Sequence, residues 1–558
     1  MINYSGRRFR YMLGFVMPAT AITLTLFFFR TSTTPFFPIS VCRPQTDQAQ
    51  EPVLFKPSSI SETLSLSQIS SSSQKSASSL SQTSDLPASP TFDSRPQLPF
   101  EYDPNQDQEL CDKIYGIGYF THIEKHQHPY CESSSSSFLQ CFSAPRLPQP
   151  WASQWSSTAG DPFCFARGVL FDPSGPDGRH FKASCNTRDF NAERAKGQTD
   201  PSDPLTDIAG VPNLADLAEY WGGSGVAAQF KAHWDLKAEV QDCDRDSNGE
   251  WLFVISREDT PNIWHEMMDL WQCLITLDAM QAVRNPATGE PWMTQEDIAS
   301  MQIVFDDDLP MQRHLEDWWE MLNGKKPMKA SELKPGACYA NVLLPLPGSS
   351  SPFWGALVEH VYHEPCRSSI IIDAFRRRVF KHLDLTPRPL NSRPNEHPTI
   401  TFVNRTHNRR LWDADSLMDK IRTRYPDSKV NVVDFANLPL REQVELATET
   451  DVFIGHHGAG MMHLFFLPTD AAVVEITSSR ARKFRSITRM RGITHFEANC
   501  LEEPDYEHIA YGKEYPQNWR AGMDDKHWQS RPYAYLIEED FLGWVDAAVR
   551  NQRNRRYK

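Results

Sequence analysis

The segment 451–476, DVFIGHHGAGMMHLFFLPTDAAVVEI, restricts the fold of this chain more than any other. Asp451–Gly455 is a short apolar run that ends in a turn residue, and Ala471–Ile476 is a β-branched run typical of a buried strand. Between them, His457–Gly460 offers backbone N–H groups without bulky side chains, directly before Met461–Leu467, which can form a helical turn. The pattern predicts a strand, a phosphate-binding loop, a short helix and a second strand. The alternative is a glycine turn that only lets a strand pack on a helix.

Strand and helix patterns also alternate upstream of this segment. Residues 399–404 and 429–435 have the composition of strands, and residues 416–423 and 440–448 have the pattern of helices. Such alternation predicts right-handed βαβ units, an α/β fold class and a parallel sheet. Ligands of such sheets bind at the carboxyl ends of the strands, so the loops that follow those ends should carry the chemistry.

Three features should therefore meet at one edge of the predicted sheet. The loop Arg405–Arg410 follows the first strand, the glycine loop follows the third, and the fourth ends at Glu475. An arginine pair, a set of backbone amides and a carboxylate for ribose hydroxyls together suit a nucleotide diphosphate. A solvated arginine cluster is the alternative for Arg405–Arg410. The candidate nucleotide-binding residues are Arg405, Arg410, His457, Gly458, Ala459, Gly460 and Glu475.

A second constellation lies in the run HEMMD at 265–269. It differs from the zinc-protease pattern H-E-x-x-H because Asp269 occupies the position of the second histidine, and the sequence offers no identifiable third ligand. At spacing i, i+4, His265 and Asp269 share one face of a helix. They predict either an acid/base pair at a cleft or a core histidine held by a carboxylate.

The triplet Asp306-Asp307-Asp308 follows the strand pattern at 302–305. It resembles the D-x-D arrangement that holds a divalent cation in many sugar-nucleotide transferases. A solvated turn at the end of a strand is the favoured interpretation. We therefore predict no metal site, with Asp306 and Asp308 as the candidates if a metal is required, and the need for a divalent metal stays open.

The N-terminus predicts a membrane anchor. Residues 11–29, YMLGFVMPATAITLTLFFF, are uncharged and follow three arginines, and about 20 apolar residues suffice to span a bilayer. The arginines favour a cytosolic side for residues 1–10, so the rest of the chain should be lumenal, as in a single-pass type II protein of the Golgi or endoplasmic reticulum. A cleaved signal peptide is the alternative. The formal net charge of −14 argues against nucleic acid as a partner.

Composition separates the rest of the chain into a stem and a cysteine-containing part. A Ser/Pro-rich stretch with few aromatic residues predicts a disordered stem, and ten of the 11 cysteines lie beyond it, as suits an oxidising compartment. Ten cysteines permit up to five disulfides, whose connectivity the sequence leaves open. The predicted order is tail 1–10, anchor 11–29, stem 30–105, cysteine-containing extension 106–250, first lobe 251–390, second lobe 397–500 and C-terminal segment 501–558 with a terminal helix.

These motifs resemble those of the family 61 glycosyltransferases. The resemblance rests on the loop at 451–460, the Phe-Leu-Pro at 466–468, Cys164-Phe-Ala-Arg167, and the element N-x-x-H-x-x-x-D at 262–269. It implies two Rossmann-like lobes of the GT-B type. It further implies inverting transfer of a sugar from a UDP-sugar, with UDP-N-acetylglucosamine favoured, to Ser/Thr hydroxyls of secreted or membrane proteins. His265 would be the base, oriented by Asp269, or Asp269 itself would be the base.

Other functions remain open at this stage. Resemblance to the plant members of the family allows UDP-xylose as donor and a polysaccharide or glycan product. A non-catalytic lumenal binding protein would keep both lobes without turnover. A hydrolase with an oxyanion loop would need a G-x-S-x-G nucleophile turn, and the sequence contains none.

Overall fold

The computed structural model describes much of the chain beyond residue 108. The described residues are 109–146, 160–175, 178–197, 208–240, 243, 250–311, 315–355, 366–389, 396–477, 484–500 and 533–554. The predicted tail, anchor and stem lie outside them. Within the described ranges, no helix combines the length and apolar character needed to cross a membrane.

The described residues form a mixed α/β structure, which confirms the predicted fold class. The strands are β1 Gln127–Pro129, β2 Phe138–Ala144, β3 Asp161–Arg167, β4 Val169–Phe171, β5 Phe181–Lys182, β6 Trp234–Asp235, β7 Trp251–Ile255, β8 Gln302–Phe305, β9 Met328–Lys329, β10 Cys338–Tyr339, β11 Asn341–Leu344, β12 Ile400–Val403, β13 Arg410–Leu411, β14 Val430–Val433, β15 Val452–His456, β16 Ala472–Thr477, β17 Thr494–Asn499 and β18 Tyr533–Ala534. The α-helices are α1 Glu109–Tyr115, α2 Gly118–Lys125, α3 Phe190–Ala195, α4 Val226–Ala232, α5 Ile263–Ala282, α6 Gln295–Ser300, α7 Glu316–Trp319, α8 Pro352–Gly355, α9 Ile370–His382, α10 Ala414–Arg424, α11 Leu440–Thr448, α12 Arg485–Met490 and α13 Glu538–Arg553.

The larger sheet has seven strands in the order β1-β2-β3-β11-β7-β8-β9. β11, β7, β8 and β9 run parallel, whereas β3 pairs antiparallel with β11. Strands of the predicted extension and of the predicted first lobe therefore belong to one sheet. Every residue of β7, WLFVI, is buried, as expected for a central strand covered on both faces. A smaller sheet, β10-β4-β5-β6, packs beside it.

The second sheet has five parallel strands in the order β14-β12-β15-β16-β17. The predicted strands and helices between residues 399 and 477 are confirmed within a few residues of their bounds. The short helix after the glycine loop is a 3-10 helix, Ala459–Phe465, and β17 extends the sheet beyond the predicted strands. In chain order the arrangement is 2-1-3-4-5, a doubly wound topology in which the connections leave the first strand in opposite directions. A crevice therefore opens between the carboxyl ends of β12 and β15.

Helix α5 joins the two sheets. It begins at the N-cap Asn262, whose Oδ1 accepts from the N–H of Trp264 at 3.2 Å, and nearly all of its side chains are buried. An apolar helix surface on all sides requires neighbours on all sides. The Trp271 ring stacks on Phe375 with 4.1 Å between the ring centroids, and its centroid lies 5.0 Å from that of Phe465 in the 3-10 helix after the glycine loop. One hydrophobic core thus contains residues of both sheets.

Four disulfides tie distant parts of the described chain together. They are Cys111–Cys366, Cys131–Cys185, Cys141–Cys164 and Cys243–Cys338. Among the described cysteines, Cys273 is a buried free thiol. The bridge from Cys111 to Cys366 spans 255 residues and fastens α1 to the segment before α9. The four bridges use eight of the ten cysteines for which the sequence permitted up to five disulfides.

Candidate active site

The crevice of the five-stranded sheet is lined by two loops. One follows β12 and contains Arg405 and Arg409, and the other follows β15 and contains His457–Gly460. β12 and β15 are hydrogen-bonded neighbours, so the loops lie side by side. The sequence placed both loops at this edge, and the strand order brings them together at the point where such sheets bind ligands.

Gly458 is the residue that lets the two loops approach. Its φ is +141°, a conformation that side chains disfavour, and a Cβ built there would lie 2.8 Å from Nη1 of Arg409. Nη1 of Arg409 donates a hydrogen bond of 2.5 Å to the carbonyl oxygen of His457. The N–H of His457 donates to the carbonyl of Ile476 at 2.7 Å, which fixes the loop to β16. The guanidinium of Arg409 therefore lies directly on the glycine loop.

The neighbouring residues of the loop have structural bonds of their own. Ala459 begins the 3-10 helix, and the carbonyl of Gly460 pairs with Nδ1 of His463 at 2.8 Å. A Cβ at Gly460 would lie only 3.1 Å from Val403 at the end of β12. Gly458 and Gly460 thus permit close packing of this loop against Arg409 and against the end of β12.

The crevice concentrates positive charge. The pKa of Arg409 is lowered to about 9, first because its guanidinium is partly buried and then because of the positive charge of Arg405. The pKa of Arg405 is also lowered by burial, an effect that the carboxylate of Asp434 partly offsets. Bringing two guanidinium groups together away from water costs free energy, and an anion bound between them would reduce this cost. A diphosphate has the charge and the planar oxygen pairs that arginine forks bind.

Arg410 lies elsewhere. It belongs to β13, which pairs with β18, and its Nη2 donates to the hydroxyl of Tyr533 at 2.5 Å. Its guanidinium also covers the Tyr533 ring at 4.2 Å from the centroid. The predicted pair was Arg405 and Arg410, whereas the structure brings Arg409 onto the glycine loop. Arg409 lies in the loop that the sequence identified, but no local sequence pattern distinguishes it from the neighbouring Arg410.

Glu475 is completely buried. Its Oε1 lies 2.6 Å from Nδ1 of His457, and its Oε2 accepts from the N–H of Phe484 at 3.0 Å and lies 3.0 Å from Nε2 of His495. Although burial alone would raise the pKa of this carboxyl, the two imidazoles hold it at about 2. Glu475 was predicted to accept from ribose hydroxyls. The structure places it inside the sheet, where it orients His457.

The second constellation lies at the carboxyl ends of β7 and β11. Nδ1 of His265, near the start of α5, is 3.3 Å from Oε2 of Glu258. Oε1 of Glu258 accepts from the N–H of Ser349 at 2.6 Å and from the hydroxyl of Ser224 at 2.9 Å. Sequence reasoning missed Glu258, which lies in the loop between β7 and α5 and carries no motif of its own.

Asp269 has a different set of partners from the one predicted. Its Oδ2 accepts from the N–H of Glu258 at 3.0 Å, and its Oδ1 accepts from the N–H of Gly348 at 3.0 Å. A Cβ at Gly348 would lie 2.3 Å from Oδ1 of Asp269, so the loop after β11 can close only with glycine there. Burial, and next the charge of Glu258, raises the pKa of Asp269 well above its ordinary value. Asp269 fastens two loops to α5.

Aromatic residues connect the two constellations. The ring of Phe484 lies 5.1 Å from His457 and 5.2 Å from Trp264. Trp264 precedes His265 and also stacks on Phe465 of the 3-10 helix at 6.0 Å. The histidine at the start of α5 and the glycine loop therefore lie on the same side of the molecule, close to one junction between the sheets.

The Asp306–Asp308 triplet is engaged by the protein. Asp306 is buried, and its Oδ1 and Oδ2 accept from Ser256 at 2.5 Å and from Gln229 at 3.2 Å. Asp307 binds the buried guanidinium of Arg257 at 2.6 Å, and Asp308 is exposed. Among the described residues, no three His, Cys, Asp or Glu side chains come together as metal ligands.

Comparison with known proteins agrees with this geometry. Residues 265–474, which include His265, Asp269, Arg405, Arg409 and the glycine loop, match the Glycosyltransferase 61 family. The chain is 24% identical over 393 residues to the EGF domain-specific O-linked N-acetylglucosamine transferase of Drosophila melanogaster, covering 69% of each chain. It is 34% identical over 133 residues to the protein of that name in Xenopus laevis and 30% identical over 131 residues to that in Mus musculus. The last two alignments cover 23% of this chain and 25% and 24% of those proteins. Residues 265–474 are therefore similar to a glycosyltransferase 61 domain, and the chain is a glycosyltransferase.

Proposed function

We propose that this glycosyltransferase moves N-acetylglucosamine from UDP-N-acetylglucosamine to Ser/Thr hydroxyls of secretory-pathway proteins, with inversion at the anomeric carbon. The observation that carries the proposal is the pair Arg405 and Arg409 beside the Gly458 loop at the crevice of a doubly wound sheet. The names of the matched relatives support the sugar and favour an EGF-like domain as acceptor.

The five-stranded sheet is proposed as the donor-binding lobe. Arg405 and Arg409 would face the two phosphates, and the amides of Gly458 and Ala459 would donate to their oxygens. The seven-stranded sheet, in which His265 lies near the carboxyl ends of β7 and β11, would then be the acceptor lobe. This division would give the two-lobed GT-B arrangement that we propose for the enzyme.

The reaction needs a base and a stabilised leaving group. His265 would take the proton of the acceptor hydroxyl while the oxygen attacks the anomeric carbon and the bond to the diphosphate breaks. Charge grows on the departing UDP during that step. The guanidinium groups of Arg405 and Arg409 would stabilise it without reorganising, because the protein already holds them in a crevice partly shielded from water.

The proposed setting is the lumen of the Golgi or endoplasmic reticulum. Residues 11–29 are proposed as the type II anchor. Four disulfides in the described residues support an oxidising compartment. In sealed microsomes the catalytic portion should resist protease until detergent is added, and digestion without detergent would contradict this topology.

A donor screen tests the function. The full chain, purified in detergent, is incubated with single UDP-sugars and a folded EGF-like domain, and UDP release and acceptor mass are followed. UDP-N-acetylglucosamine should give UDP together with an acceptor heavier by one N-acetylhexosamine. Use of UDP-xylose alone would replace the donor and keep the enzyme class. Failure of UDP to bind in calorimetry would remove the nucleotide site from the crevice.

A further inference from the structure

Glu258 occupies the centre of the hydrogen-bond network around His265. Its side chain is completely buried, whereas that of His265 is 11% exposed. Three donors converge on its two oxygens: the N–H of Ser349, the hydroxyl of Ser224 and Nδ1 of His265. They come from the loop after β11, the turn before α4 and the first turn of α5, so three separate elements fix one carboxylate.

We infer that Glu258 is a positioning residue that sets the tautomer of His265, an inference that rests on the proposed transferase function. A carboxylate offers only acceptors, so the ring nitrogen 3.3 Å from Oε2 must carry the hydrogen. With the proton on Nδ1, the neutral imidazole has its lone pair on Nε2. Nε2 is then the atom that accepts the proton of the acceptor hydroxyl.

The step balances without further groups. The hydroxyl proton moves to Nε2 of His265, the hydroxyl oxygen bonds to the anomeric carbon, and the bond from that carbon to the diphosphate oxygen breaks. The electron pair of that bond leaves with UDP. Glu258 keeps its hydrogen bond to Nδ1 throughout, stabilises the imidazolium that forms, and takes no proton; the imidazolium later returns its proton to water.

Asp269 does a different job in the same network. Both of its oxygens accept backbone N–H groups, one from Glu258 itself and one from Gly348. Its contribution is to hold the loop of Glu258 and the loop of Ser349 against α5. The two carboxylates should therefore be separable by experiment, since one acts on the ring of His265 and the other acts on the backbone.

The test is a double-mutant cycle on the full-length enzyme with UDP-N-acetylglucosamine and a folded EGF-like domain. Glu258→Gln keeps the shape but offers an N–H to Nδ1, which favours the wrong tautomer. It should lower kcat by about 10²–10⁴-fold, the usual contribution of a positioned base, while UDP affinity stays unchanged. His265→Ala should lower kcat similarly. The double variant should be no slower than His265→Ala, because Glu258 acts through the ring.

Glu266→Gln is the matched control. Glu266 adjoins His265 in sequence, is 1% exposed, and accepts from Nε1 of Trp319 at 2.9 Å, a bond that glutamine can keep. This variant should keep kcat within a few-fold of the wild type. If Glu258→Gln does not fold, Glu258→Asp tests the inference instead. This variant keeps the charge, but its shorter side chain cannot reach Nδ1 of His265, so kcat should fall while UDP still binds.

Three results would overturn the inference. They are a wild-type kcat in Glu258→Gln, losses that multiply in the double variant, and a fall in UDP affinity equal to the fall in kcat. An active wild-type enzyme with an unaffected Glu258→Gln variant would contradict this inference and leave the proposed function intact. A wild-type enzyme that transfers no sugar from any UDP-sugar would contradict both the proposed function and this inference.

Discussion

Replacing Gly458 with alanine should separate the nucleotide site from the stability of the fold. The backbone at Gly458 has φ +141° and ψ −166°, a region that is almost exclusive to glycine. A methyl group there would lie 2.8 Å and 3.0 Å from the two terminal nitrogens of Arg409. Real Cβ atoms essentially never approach a heavy atom within 3.0 Å, so the guanidinium must move.

Two effects of different size follow. Backbone strain should lower the free energy of unfolding by about 1–3 kcal/mol. Displacement of Arg409 should remove a charge-assisted hydrogen bond to the diphosphate, worth about 1.5–3 kcal/mol, which corresponds to a roughly 10- to 150-fold weaker affinity for UDP. The variant should therefore fold and yet bind UDP poorly.

The assay is calorimetric titration with free UDP, together with urea unfolding. Gly543→Ala is the matched control, because Gly543 lies inside α13 with nothing within 4 Å of an added Cβ. That change should raise the free energy of unfolding by about 0.5–1 kcal/mol and leave UDP affinity unchanged. A Gly458→Ala variant that binds UDP as tightly as the wild type would refute the placement of the diphosphate against this loop.

Three further outcomes are expected. Arg409→Lys keeps the charge but loses the planar guanidinium, so calorimetry should show UDP affinity reduced by about tenfold or more. The control Arg410→Lys should leave UDP affinity unchanged, because Arg410 binds Tyr533 instead. A loss of affinity in Arg410→Lys and not in Arg409→Lys would favour the pair Arg405 and Arg410 inferred from the sequence. Burial lowers the pKa of His463 to about 4 from 6.5, so the unfolded chain binds that proton first, and acidification from pH 6.5 toward 4 should lower the free energy of unfolding by up to about 1.4 kcal/mol per pH unit. That part of the loss should vanish in His463→Gln, and equal acid sensitivity of both proteins in urea unfolding would contradict it. Replacing both Cys111 and Cys366 by serine should lower the free energy of unfolding by about 2–5 kcal/mol in urea titrations. An unchanged unfolding midpoint would show that this disulfide does not stabilise the fold.

Local patterns were enough to predict the five-stranded sheet. Apolar runs with strand periodicity, separated by helical patterns, placed β12, β14, β15 and β16 within a few residues of their observed bounds. Parallel strands with βαβ connections end at one edge, so the loops at 404–409 and 457–460 could be placed together without knowing any side-chain contact. β17 was missed because its sequence, THFEAN, lacks a sustained apolar run and gains its place by pairing with β16.

Which side chain faces which partner was decided only by the tertiary structure. Arg409 has a positive φ of 56°, which turns the chain so that Arg409 and Arg410 leave it toward different neighbours. Arg410 then meets Tyr533, a residue more than 100 positions away in sequence. His265 likewise finds Glu258 rather than the carboxylate at helical spacing, since the loops after β7 and β11 converge there. Sequence periodicity specifies elements and strand ends, whereas orientation of a charged side chain depends on contacts that form only when distant segments pack.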